Sequence, residues 1–324
     1  MSRLPDPAPW LHRATTAVTA LMAAALTACQ SPPAPPPPVT AGFVEADWSP
    51  PTEADIPDDS LGVSIRRGLA ILRHTPDSLP AYATSHLTCV SCHQQDGLKL
   101  SAAPLTGSHA RFPKYMPRSG AVITLTDRVN YCFTRSLAGN ALPGESREMQ
   151  DILAYLAFIS RGVPVGTKIA GHDGLISMKD TLEGDVARGA EVYTRECAVC
   201  HQADGQGQPP AFPPLWGPKS YSIGASMARE ERAASFIWHN MPQTQPGKLT
   251  PQEAFDVAAY INSHPRPDSP GKELDFPAGN APKDVPYDTK GHAGYRPPPL
   301  LPRATPKAAL VPNPPRAPRQ VKGD

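Results

Sequence analysis

The sequence has almost no net charge: 31 Lys and Arg stand against 30 Asp and Glu over 324 residues. A chain without a basic excess has no electrostatic footprint for a phosphate backbone, which argues against nucleic acid as its partner. It also lacks an apolar run of spanning length, because the stretch from Ala14 to Ala28 is too short to cross a bilayer as a helix. Cysteine is scarce at six residues, and four of the six fall in two identical patterns. Proline is in excess: there are 42, concentrated at the two ends, so the folded part is shorter than the chain.

The recurring pattern is Cys89-Val-Ser-Cys92-His93, then Cys197-Ala-Val-Cys200-His201. Two thiols three positions apart can form thioethers to the vinyl groups of a haem, and the histidine that follows places an imidazole under the iron. A single such pentapeptide also suits a redox dithiol or half of a zinc site. Two copies in one exported chain point instead to two covalently bound haem c groups. The histidines lie 108 residues apart, from 93 to 201, which is the size of one small domain. The chain therefore reads as two haem-binding repeats.

Arg3, His12 and Arg13 precede the early apolar stretch, which closes in Leu26-Thr27-Ala28-Cys29. This resembles a bacterial lipoprotein signal, in which residues 1–28 are removed and Cys29 is lipidated, leaving a periplasmic protein held to a membrane by lipid alone. An ordinary secretory signal with Cys29 incidental is the alternative, and either way the chain is exported. With four cysteines on haem and one on lipid, Cys132 is left without a disulfide partner. Residues 29–60 read as a proline-rich tether and then an acidic linker or strap, with six acids and no base from Phe43 to Ser60. Order is expected from about Leu61. Residues 266–324, with 14 prolines in 59 residues and no hydrophobic period, are expected to form a disordered tail.

Between these ends the patterning is helical. Val63, Leu69 and Leu72, with Ile65 and Ile71, suit a short helix before the first motif. Leu125, Val129, Cys132, Phe133 and Leu137 also fall at helical spacing, which puts Cys132 on an apolar face. Ser146 can cap a helix carrying Met149, Ile152, Leu153 and Leu156. The second unit repeats the layout, with helices near Asp185 to Tyr193 and Met227 to His239. A capping box at Thr250-Pro251-Gln252-Glu253 then opens a last helix. The expectation is an all-α chain with one domain over residues 61–165 and another over 166–265.

Each iron has a sixth position, and its occupant sets potential and reactivity. Met241 lies 40 residues after His201 and just before Pro242, where small c-type cytochromes usually carry a distal methionine; Met227 is the competitor. The equivalent offset from His93 falls on Cys132, 39 residues on, so the repeat places a sulfur at nearly the same point in both units. A buried structural cysteine is the other reading of Cys132, with Met116, His109 and Met149 as alternative ligands. Between His109 and Arg135 the chain carries Arg111, Lys114, Arg118, Arg128 and Arg135 against Asp127 alone. Such a basic rim would attract a small dianion and help hold a thiolate ionised.

Phe112-Pro113-Lys114-Tyr115 and the run Thr126-Asp127-Arg128-Val129-Asn130-Tyr131-Cys132-Phe133-Thr134-Arg135-Ser136-Leu137-Ala138-Gly139-Asn140-Ala141-Leu142-Pro143 resemble the diagnostic segment of dihaem thiosulfate dehydrogenases. Gly162-Val163-Pro164-Val165-Gly166, Pro214-Leu215-Trp216-Gly217 and Asn240-Met241-Pro242 are similar to that family as well, and the resemblance covers about residues 61–265. It implies two tandem class I cytochrome c domains between disordered proline-rich extensions. Haem 1, on His93 and Cys132, would be the active site; haem 2, on His201 and Met241, would relay electrons to a c-type cytochrome or similar acceptor. The implied reaction couples two thiosulfates into tetrathionate. Arg111, Arg118, Arg128 or Arg135 would hold the dianions, Ser136 would face the same pocket, and Cys132 would leave the iron for a transient sulfur–sulfur bond. Where that family can carry an iron-binding lysine before the distal methionine, this chain has Asn240, which implies a plain His/Met haem. Two rivals remain: a dihaem electron carrier without a substrate, and the same site run as a tetrathionate reductase.

Overall fold

The computed structural model describes residues 43–293 and 298–302; Cys29, the signal stretch and the basic end of the tail lie outside the described residues. Six helices of seven residues or more form the framework among them: α1 (Ser60–Arg73), α2 (Leu125–Tyr131), α3 (Arg147–Phe158), α4 (Val186–Glu196), α5 (Glu230–Asn240) and α6 (Pro251–Ser263). Two helix crossings dominate, and each repeats the other. Helix α1 starts at Asp59, whose carboxylate accepts from Gly62 N, and it buries Ile65, Leu69 and Leu72 along one face. It meets α3 so closely at Gly68 that a Cβ there would lie 2.0 Å from the Asp151 carbonyl oxygen. Beside that contact, Arg67 grips the Asp151 carboxylate with hydrogen bonds of 2.6 and 2.7 Å.

Helices α4 and α6 reproduce each part. A Cβ on Gly189 would lie 2.0 Å from the Asp256 carbonyl oxygen, and Arg188 holds the Asp256 carboxylate at 2.8 and 2.9 Å. A tyrosine four residues past each aspartate, Tyr155 or Tyr260, packs over the glycine. The internal repeat announced by the two Cys-x-x-Cys-His motifs is thus a repeat of the scaffold. In both units the helix preceding the motif crosses the last helix of the unit, and the motif is held at the crossing.

Two cores follow. Leu72, Phe133, Met149 and Leu156 belong to the first, and Tyr193, Trp216, Phe255 and Ala258 to the second. Phe133 is 1% and Leu72 2% exposed, so each contributes about 1.5–3 kcal/mol by leaving water. Tyr221 and Ile223, beyond the second motif in sequence, are buried in the first core, so the chain crosses back after leaving it.

Several features differ from the sequence expectations. Residues 266–293 are folded and do not belong to a disordered tail: Phe276, Val285 and Tyr287 are buried in the first core, and Asp275 is 3% exposed. These anchors are isolated between prolines, so they form no helical or strand period. Order also begins before Leu61, because Ile56 is buried and Trp48 Nε1 donates to the Arg161 carbonyl at 2.9 Å, binding the acidic strap to the first unit. The chain is not purely helical. Strands β1 (Lys114–Met116) and β2 (Ala121–Ile123) pair antiparallel, and β3 (Arg266–Pro267) pairs parallel with β4 (Leu300–Leu301). Finally, the helix expected from Leu125 to Leu137 changes winding at Cys132, where residues Cys132–Ser136 form a π-turn closed by Leu137 N to the Cys132 carbonyl at 2.8 Å.

Candidate active site

Thr88 caps the turn Cys89–Cys92, accepting from Ser91 N, and Thr75 anchors its start by accepting from Cys89 N at 3.1 Å. The turn delivers Cys89, Cys92 and His93 to one side of a pocket, partly open to solvent, whose other walls include Leu72, Val129, Phe133 and Leu156. Cys132 and Ser136 line the same pocket. His93 Nδ1 lies 2.5 Å from the Ala103 carbonyl oxygen; donating there fixes the tautomer and leaves Nε2 as the lone-pair nitrogen. The second motif behaves alike, with His201 Nδ1 2.9 Å from the Pro213 carbonyl oxygen. Burial pushes His201 below its ordinary value against the pull of that carbonyl, so the ring is the neutral imidazole a metal needs. Both pairs of thiols and both histidines therefore suit a haem: each unit offers a pair of free thiols and an oriented imidazole, and the first adds a pocket with apolar walls.

Cys132 is distinguished from the thiols across the pocket by its charge environment. Burial pushes Cys89 and Cys92 up to about 12. Burial pushes Cys132 up as well, but the Arg128 guanidinium and the neighbouring His93 outweigh it, bringing the thiol down to about 6. Arg128 Nη1 donates to Cys132 Sγ at 3.3 Å, one helical turn before the π-turn. The thiol lines the same pocket as His93.

The five cations of the basic rim divide into two groups. Arg111 and Lys114 gather near Arg128: burial lowers the affinity of Arg111 for its proton, Asp173 opposes that, and the Arg128 charge adds to it. Burial does the same to Lys114, opposed by Asp173 and reinforced by Arg111, Arg128 and Lys168. Arg111 also donates to the His172 carbonyl, and Asp173 lies 3.6 Å from Arg111, 3.9 Å from Lys114 and 3.7 Å from Lys168. Arg111, Lys114 and Lys168 thus share the single Asp173 carboxylate while the Arg128 charge bears on Arg111 and Lys114, which leaves the cluster net positive.

Arg118 and Arg135 turn the other way. Arg135 forms a fork on Asp275 at 2.6 and 2.7 Å, Arg118 Nε stands 3.6 Å from the same carboxylate, and Tyr287 Oη donates to it at 2.8 Å. Of the residues singled out in the sequence, Cys132 and Ser136 line one pocket, Arg128 donates to Cys132 Sγ, and Arg111 lies within reach of the Arg128 charge. It missed Asp275, Asp173 and Lys168, for which no local pattern exists.

In the second unit Met241 packs against the core and its amide donates to the Ile237 carbonyl at 2.8 Å. The competing Met227 touches both cores. Asn240 is fully buried: its amide donates to the carbonyls of Ser101 and Phe236 and accepts from Ser101 Oγ, each at 2.9 Å. Met116 lies in β1 and Met149 is fully buried in the first core. His109 sits in the short turn Ser108–Arg111.

Residues 81–165 match the family described as SoxA/TsdA, cytochrome c domain, and residues 186–265 match the family described as Cytochrome c. The chain is 40% identical over 240 residues to the thiosulfate dehydrogenase of Psychrobacter arcticus, which covers 72% of this chain and 73% of the relative. It is 43% identical over 226 residues to the thiosulfate dehydrogenase of Allochromatium vinosum, covering 67% and 83%. Among solved structures, the "as isolated" form of thiosulfate dehydrogenase (TsdBA) from Marichromatium purpuratum matches with a TM-score of 0.65 at 33% identity. That match covers 70% of this chain and 51% of the other, so the chain spans about half the length of that protein. Two cytochrome c domains, each with its own Cys-x-x-Cys-His motif, carry two covalent haem c groups.

Proposed function

The chain belongs to the thiosulfate dehydrogenase family, and on that premise we propose that it couples two thiosulfates into tetrathionate beside Cys132 and passes the electrons outward through the second haem. The observation that carries this reading is the half-buried Cys132 thiol, which shares the wall of one pocket with His93 and takes a hydrogen bond of 3.3 Å from the Arg128 guanidinium, whose charge helps bring it down to about 6. A structural cysteine in an apolar wall has no need of a guanidinium on its sulfur. A nucleophile or an iron-binding thiolate does.

Two thiosulfate dianions 5 Å apart repel by about 3 kcal/mol even in bulk water, and by more in a partly buried pocket. Arg111, Lys114 and Arg128 offset that repulsion and orient the sulfane end toward Cys132. In the first half-reaction the Cys132 thiolate and the sulfane sulfur of one thiosulfate form a sulfur–sulfur bond while two electrons leave, giving Cys132–S–S–SO3⁻. A second thiosulfate attacks the sulfane sulfur of that adduct, tetrathionate departs and the thiolate returns. A thiol near 6 is a good leaving group for this step. When bound, the haems would accept the electrons, the first held by His93 and Cys132 and the second by His201 and Met241. Asn240, locked to Ser101, offers no competing ligand beside Met241.

The acceptor on this reading is a c-type cytochrome or similar redox protein. The site of action is the periplasm, with Cys29 as the lipid anchor. The test is steady-state reduction of a small cytochrome c by purified protein with thiosulfate, tetrathionate being quantified at the end. One tetrathionate per two electrons is expected. Fully loaded haems with no turnover in either direction would leave an electron carrier in its place.

A further inference from the structure

Among the described residues one buried cation has no anion. Arg266, in β3 just beyond the end of α6, is 0% exposed. Its Nη2 donates to the Ile261 carbonyl at 2.7 Å, while Nε and Nη1 meet no hydrogen-bond partner among the described residues. Its guanidinium carbon stands 4.4 Å from the centre of the Tyr221 ring, a side chain of the first core, so Arg266 lies where a strand leaving the second unit meets the packing around the first pocket. The neighbouring acids serve other cations: Asp268 accepts from Lys272 Nζ at 2.6 Å, and Asp275 is held by Arg135. Outside the described residues the sequence has only Asp6 and Asp324 as acidic side chains.

A charge taken out of water is kept only with a partner and with its donors filled, and a ring face and one carbonyl do neither for Nε and Nη1. The planar fork of an arginine matches a carboxylate, and the carboxylates this protein adds to its own side chains are the haem propionates. We propose that Arg266 is a propionate-binding residue, donating to a haem propionate at the junction of the two domains through an N–H group that its protein partners leave unfilled. The role is one of cofactor binding and of potential setting. A cation on the propionate cancels its negative charge and favours the reduced, less positive iron. The inference rests on the haem assignment and is independent of the thiosulfate reading, so turnover plays no part in its test.

The experiment is a spectroelectrochemical titration of both haems in the purified holoprotein, wild type against Arg266→Gln. The midpoint of one haem is expected to fall while the other stays put, and the haem that moves identifies the owner of the propionate. Two unmoved midpoints in a folded, doubly loaded Arg266→Gln protein would overturn the proposal, leaving the Tyr221 ring and the end of α6 as the whole environment of the charge. Arg266→Lys keeps the charge and loses the guanidinium donor, which covers the case in which the Gln variant fails to accumulate. There the midpoints are expected to stay near wild type while the propionate bending band of one haem shifts in resonance Raman spectra. An unshifted band in the Lys variant refutes the hydrogen bond.

Discussion

Replacing Asp275 with alanine tests whether the segment after the second domain is part of the machinery that holds Cys132. The Asp275 side chain is 4% exposed, and its carboxylate neutralises Arg135 and Arg118, whose side chains are 16% and 15% exposed. Arg135 lies within the Cys132–Ser136 π-turn, and its carbonyl accepts from Ser222 Oγ at 2.6 Å, so the turn is gripped from both sides. Removing one partner of a buried ion pair costs about 3–5 kcal/mol, because the remaining charge is left without compensation. Here two like charges are left facing each other. With roughly 2–4 °C of melting temperature lost per kcal/mol in a body of this size, the expected fall is about 6–20 °C. The assay is thermal unfolding of the holoprotein followed by far-ultraviolet circular dichroism, with the thiolate-to-iron absorption of the first haem read in parallel. Asp275→Asn, which keeps the shape and loses the charge, should fall between wild type and alanine. A fall of less than about 3 °C for Asp275→Ala would mean that the arginines are neutralised elsewhere and that the cage does not hold the turn.

Three further outcomes follow from the same geometry. Cys132→Gly should retain both haems, since the four thioether cysteines are untouched, and lose turnover; wild-type rates would remove Cys132 from the reaction. Arg128→Met takes the donor from Cys132 Sγ and a cation from the anion site, and should lower kcat/KM by roughly 10²–10³-fold, as loss of one preorganised donor does elsewhere. Asp256 is held below the usual carboxylate range: burial would raise it, but Arg188, the Asp185 amide and Gln252 outweigh that. Its folded value being depressed, the stability it supplies is complete above the unfolded value of about 3.9 and disappears as pH falls through the folded one. Melting curves of wild type and Asp256→Asn should therefore differ at neutral pH and converge in acid; a constant gap down to the lowest pH would show that ionisation of Asp256 is not what stabilises the crossing.

The sequence by itself determined the cofactor and the repeat, and it singled out one sulfur. Haem attachment is written in five consecutive residues, the repeat in the spacing of two such motifs, and Cys132 stands out by an offset of 39 residues from its histidine against 40 for Met241 in the second unit. These are local or periodic signals, and covalent chemistry reads them without a fold. Tertiary structure alone decided which cations serve the sulfur. A run of arginines has no direction, and Arg118 and Arg135 differ from Arg128 only because Asp275, 140 residues beyond Arg135, is folded back onto them. Periodicity likewise missed residues 266–293, since single anchors such as Tyr287 between prolines bury well without repeating. The unpaired Arg266 was invisible for the same reason. Whether an arginine in a proline-rich stretch is solvated or sealed depends on what the rest of the chain lays over it, and burial is a property of the assembled fold.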